Sequence, residues 1–125
     1  MTETTRITRI GTVIVPVSDQ ERALAFYVDT LGFEKRLDAP FCQGGRWIEV
    51  APPGAATTIA LVPSTDDGAG MVISLATEDA EQDHDALLAR GVDADAEVLR
   101  MGDYVPPMFT FRDPDGNRFR MVQRD

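Results

Sequence analysis

The feature that most constrains this chain is that its pattern of strands and helix caps is written twice. Residues 10–17 read IGTVIVPV, an apolar, β-branched run that suits a strand and stops at Ser18. The S-x-x-E spacing of Ser18 and Glu21 predicts a capping box. The helix it opens carries Ala23, Leu24, Phe26, Tyr27 and Leu31 on one stripe, and Gly32 is placed to close it. The pattern restarts at residues 71–76, MVISLA. Asp79 can cap a second helix, with Gln82 three residues on. Leu87 and Leu88 lie on its apolar side and Gly91 ends it.

Three strands are expected after each helix. In the first half they lie near Phe33–Leu37, Arg46–Val50 and Thr57–Val62, the last two joined by the turn Ala51-Pro52-Pro53-Gly54. In the second half they lie near Glu97–Arg100, Met108–Arg112 and Arg118–Gln123, with Asp113-Pro114-Asp115-Gly116-Asn117 as the final turn. The polar stretch 64–70, STDDGAG, reads as a linker. The expected fold is α+β. Two tandem βαβββ modules, about 7–63 and 71–124, form a curled mixed sheet around a central hollow, with helices on the outer face. The 125 residues suffice for one such domain with its own core.

Composition narrows the partners. The chain carries 12 basic and 21 acidic residues, a net charge of −9, which argues against nucleic acid or an anionic membrane as partner. Cys42 is the only cysteine, so no intrachain disulfide can form. The start of the chain shows no signal-peptide pattern, and no apolar run has the length of a membrane span. A cytoplasmic protein is the expectation.

Two segments, VIVPVSDQERALAFYVDTLGF and FTFRDPDGNRFRMVQ, resemble the vicinal oxygen chelate superfamily. That superfamily includes glyoxalase I, bleomycin-binding resistance proteins, extradiol dioxygenases and related enzymes. The segment RWIEVAPPG is similar to a stretch frequent in glyoxalase-like and bleomycin-resistance-like members. The resemblance implies that catalytic members hold one divalent metal in the hollow. Their ligands are His, Gln or Glu in the first and last strand of each half. Those positions fall here at Thr12, Ala60, Val72 and Arg120, and the pairs 12/72 and 60/120 share the offset of the repeat. None of these side chains suits Zn, Ni, Mn or Fe. The expectation is therefore no metal and no cofactor.

Strand alternation sorts the rest of the faces. With Thr12, Ala60, Val72 and Arg120 turned to the hollow, Ile14, Thr58, Val62, Ser74, Arg118 and Val122 follow. Trp47, Glu49, Met108 and Thr110 join them, and the loop residues Phe41, Met101 and Tyr104 could close the rim. Two readings of this set are open. In one, Trp47 stacks on a planar ligand while Thr, Ser and Arg side chains orient its polar groups. In the other, Trp47 is core and Arg120 plugs a lost metal site by pairing with Glu49. His84, the only histidine, reads as a core residue, and Asp113-x-Asp115-Gly116 reads as a turn because Arg124 stands where a calcium loop needs Glu.

The functional expectation is a metal-independent homodimer of the bleomycin-resistance type that sequesters a hydrophobic or aromatic antibiotic or natural product. The dimer is implied by the resemblance. The alternative is an enzyme, a glyoxalase-like lyase or isomerase or a dioxygenase relative, with Glu49 as general base. A third possibility is a regulatory pseudoenzyme with an empty hollow.

Overall fold

The computed structural model describes residues 6, 10–40, 45–63, 72–103 and 105–124. The first half runs β1 (Thr12–Val17), α1 (Gln20–Ala25) and a single π-helical turn (Phe26–Thr30). Strands β2 (Glu34–Pro40), β3 (Arg46–Ala51) and β4 (Thr58–Pro63) complete it. The second half runs β5 (Val72–Thr77), α2 (Ala80–Ala89), β6 (Asp93–Ala94), β7 (Met108–Arg112) and β8 (Arg118–Gln123). Each half builds a four-stranded sheet, in the orders β1-β4-β3-β2 and β5-β8-β7-β6. The first and last strands of each half pair in parallel and the others antiparallel. The result is a mixed α+β fold of two tandem βαβββ units in a curled, open sheet. The linker stretch 64–70 lies outside the described residues.

One parity of β1, β3, β4, β7 and β8 supplies the strand residues of the core. Val15, Val17, Ile48, Val50, Ile59, Leu61, Phe109, Phe111 and Phe119 are buried, and Ala23 and Tyr27 of the first helical segment and Leu87 of α2 pack on them. Phe111 and Phe119 are cross-strand partners, stacked with ring centroids 5.3 Å apart. The two halves thus share one apolar core, and the opposite parity forms a second face, on which Thr58, Ala60 and Val122 are buried and Ile14, Val72, Ser74, Arg118 and Arg120 exposed.

Three local expectations need correction. The helix cap is Asp19, whose side chain accepts from the backbone N–H of Arg22, and not a Ser18–Glu21 box. Ser18 is taken by another partner: its N–H and hydroxyl both donate to Asp115. Glu21 instead ion-pairs with Arg46 at the start of β3. The helix also widens into a π turn, where the Leu31 N–H reaches back to Phe26 O over 3.0 Å. Finally, the strand expected near Glu97–Arg100 is displaced. Pairing with β7 is made by the two residues of β6, and Leu99 adds only an isolated bridge to Met108.

The remaining caps follow the expectation. Asp79 accepts from the Gln82 N–H. Gly32 and Gly91 take φ of 83° and 79°, the left-handed geometry that ends each helical segment.

Candidate functional site

Strand register builds the open face row by row, since paired residues share a side of the sheet. In the first module Ile14, Ala60, Glu49 and Leu37 form one row across β1, β4, β3 and β2. Thr12 and Thr58 pair beside it, and Trp47 pairs with Ala39. In the second module Ser74, Arg120 and Thr110 form the equivalent row across β5, β8 and β7. Val72, Arg118 and Arg112 flank it on one side, and Ala76, Val122 and Met108 on the other. Every strand residue assigned to the hollow therefore lies on one of these two faces. Met101 lies in the loop before β7 and is 56 % exposed. Phe41, Tyr104 and Cys42 lie outside the described residues.

The polar groups of the first face are tied together. Trp47 Nε1 donates to Glu49 Oε2 at 2.7 Å, and Thr58 Oγ1 donates to Glu49 Oε1 at 2.8 Å. Thr12 Oγ1 lies 2.9 Å from Thr58 Oγ1. Trp47 is held by this bond at half-burial, so its indole is neither core nor free. Arg120 does not pair with Glu49 within the chain. It is exposed and makes no side-chain hydrogen bond among the described residues. The second face differs: among the described residues its Ser74, Thr110, Arg118 and Arg120 side chains make no hydrogen bond.

The residues at the implied metal positions do not fit a metal. Those positions, on two faces, hold Thr12, Ala60, Val72 and Arg120. Val and Ala bring no donor atom, a guanidinium brings charge of the wrong sign, and one hydroxyl cannot hold a divalent ion alone. Among the described residues, no group of three or more His, Cys, Asp or Glu converges as a metal site requires. His84 sits elsewhere. It is 5 % exposed on α2, edge-on to the Phe109 ring, with Nε2 2.7 Å from the Asp95 carbonyl. A carbonyl only accepts, so that nitrogen carries the proton.

The sequence reading missed one polar cluster altogether. The turn after β7 brings Asp113 under the first helical segment, where Tyr27 Oη donates to Asp113 Oδ2 at 2.7 Å. Asp113 also accepts from the backbone N–H groups of Asp115 and Asn117 and from Asn117 Nδ2. Asn117 Nδ2 in turn reaches the Pro16 carbonyl of β1. Burial, reinforced by the Asp113 charge, pushes the Tyr27 phenol far above its ordinary value. This cluster joins the two modules. The signal available in sequence was a tyrosine on a buried helix stripe, because a buried phenol needs a partner. A cleft of about 300 Å³ between the first helical segment and β2, lined by Leu24, Val28, Asp29 and Lys35, is remote from the open faces.

Comparison with known proteins places this geometry. The family model for the Glyoxalase/Bleomycin resistance protein/Dioxygenase superfamily matches residues 9–121. The crystal structure of TnmS3, an antibiotic binding protein from Streptomyces sp. CB03234, is 36 % identical with a TM-score of 0.83. The match covers 98 % of this chain and 100 % of that one. A member of the same superfamily from Sphaerobacter thermophilus DSM 20745 is 37 % identical with a TM-score of 0.85, over 96 % of this chain and 100 % of that one. The uncharacterized protein YetH of Bacillus subtilis strain 168 is 33 % identical over 94 % of this chain and 99 % of its own length.

Proposed function

This chain belongs to the Glyoxalase/Bleomycin resistance protein/Dioxygenase superfamily, and from that premise we propose that it binds and sequesters a hydrophobic or aromatic small molecule, an antibiotic or another natural product, without a metal ion. One observation carries the reading. The positions at which the resemblance implies metal ligands hold Thr12, Ala60, Val72 and Arg120, while a half-buried indole, Trp47, stands on the first-module face with Thr12 and Ala60. Such a surface holds a guest by shape, stacking and a few placed donors. The similarity to TnmS3, which is an antibiotic binding protein, supports the same reading.

The functional unit is a homodimer. Ile14 and Val72 stand 55 % and 41 % exposed on the open faces, apolar surface that a second copy and a ligand would cover together. Light scattering is expected to give twice the 13.7 kDa of the chain.

The test is metal analysis of the purified protein followed by a thermal-shift screen of aromatic antibiotics. The expected result is less than stoichiometric metal and a raised Tm with a planar ligand. A ligand at about 100 times its Kd stabilises by about 2.7 kcal/mol, and Trp47→Ala should remove most of that shift. Stoichiometric Zn, Ni, Mn or Fe held by side chains, or turnover lost in Glu49→Gln, would replace this reading by an enzymatic one.

A further inference from the structure

We propose that the small molecule bound here is an aromatic compound carrying an acidic oxygen, a carboxylate or an ionised phenol, and that Arg120, flanked by Ser74 and Thr110, grips that group. This rests on the binding-protein reading above and names the ligand class of the same site.

The row Ser74–Arg120–Thr110 runs across three adjacent strands. Neighbouring strands lie about 4.8 Å apart, so a guanidinium stands with a hydroxyl on either side. None of the three side chains makes a hydrogen bond among the described residues. The next row holds two more arginines with different fates. Arg112 is neutralised by Asp93 and Asp95, at 3.2 and 3.1 Å. Arg118 is exposed and has no ion-pair partner among the described residues. Two uncompensated cations therefore stand two residues apart on one strand, roughly 7 Å along it.

The equivalent row of the first module carries the opposite charge, Glu49, and each of its oxygens is already engaged. The unspent hydrogen-bonding capacity of the surface is accordingly cationic and donating. This runs against the net charge of −9 of the whole chain, so it is a local property and not part of a general basic field. A ligand that covers Arg120 strips water from a guanidinium. A neutral aromatic gives nothing back for that cost, whereas an oxyanion returns it through paired, charge-assisted hydrogen bonds. On the far side of the row stand exposed Ala76 and half-buried Met108, an apolar edge for the ring system, with Val122 of the same row buried.

The experiment compares two probes of equal shape, anthracene-2-carboxylate and anthracene-2-carboxamide, by calorimetry on the full chain. The carboxylate is expected to bind at least about tenfold tighter at low salt. That preference should shrink at about 0.5 M salt, fall towards unity in Arg120→Met, and fall partly in Arg118→Met. Both arginines are exposed, so neither variant threatens the fold. Equal affinity for the two probes would overturn the anion inference and leave the binding-protein reading standing. A carboxylate preference that survives both variants would also overturn it. Binding of neither probe, with no change in Trp47 fluorescence, would remove both.

Discussion

Tyr27 shows how much one hydroxyl can decide. Its ring touches Phe26, Phe33 and Phe119, and its oxygen has one acceptor, Asp113, on the other module. Tyr27→Phe keeps the packing and removes a hydrogen bond to a buried carboxylate. It is expected to cost about 1.5–3 kcal/mol in urea unfolding. The phenol's pKa is raised in the fold above its ordinary 10.0, first by burial and then by Asp113. The folded state therefore keeps its proton where the unfolded chain loses it. This contribution is fully present below pH 10 and declines above it, by up to about 1.4 kcal/mol per pH unit. Tyr27→Phe should flatten that alkaline decline. An unchanged slope in a pH series would show that another group is responsible. The Tyr27 ring was legible as core from its helical spacing. The partner of its hydroxyl was not, because Asp113 is 86 residues away and reads locally as a turn residue.

Among the elements, the first helical segment is the instructive one. S-x-x-E predicts a box, yet Asp19 caps and Ser18 serves the other module. Local capping chemistry is worth about 1 kcal/mol and Ser, Asp and Asn cap almost equally well, so a tertiary acceptor such as Asp115 readily decides which of two neighbouring candidates caps. Asp19→Ala is expected to cost about 1 kcal/mol. Glu21→Ala should cost no more than about 0.5 kcal/mol, the worth of an exposed ion pair. The reverse order in chemical denaturation would restore the capping box. The π turn at Phe26–Thr30 is a second tertiary choice. It lengthens the helical segment while Tyr27 stays aimed at Phe119 and Asp113. Strand β6 is short for a related reason. The Asp95 N–H still donates to the Thr110 carbonyl, but the Thr110 N–H turns to the Asp95 carboxylate while the Asp95 carbonyl takes His84, so regular pairing ends after Ala94.

For the whole molecule, the junction between modules is the point of control. Asp113 gathers four donors, one of them from the first module, and Asp115 gathers Ser18 and Arg22. Asp113→Ala strands those donors in a buried place and is expected to cost several kcal/mol. It should also separate the unfolding of the halves. Trp47, the single tryptophan, reports the first module, and far-ultraviolet circular dichroism reports both. The two signals should coincide in the native chain and diverge in Asp113→Ala. Coincident curves in the variant would mean that the shared apolar core alone couples the modules.

The sequence by itself determined the duplicated βαβββ order and the parity of the strands. Both follow from short-range rules: hydrophobic period and cap and turn chemistry. The tertiary structure alone decided what each polar group on the open faces is bonded to. It spent Glu49 on Trp47 and Thr58, left Arg118 and Arg120 without partners among the described residues, and turned a β-turn aspartate into the joint between modules. Hydrogen bonds are directional and satisfied within about 3 Å. Their pairing therefore depends on which distant strands and turns the core brings together, and no local pattern of residues encodes that.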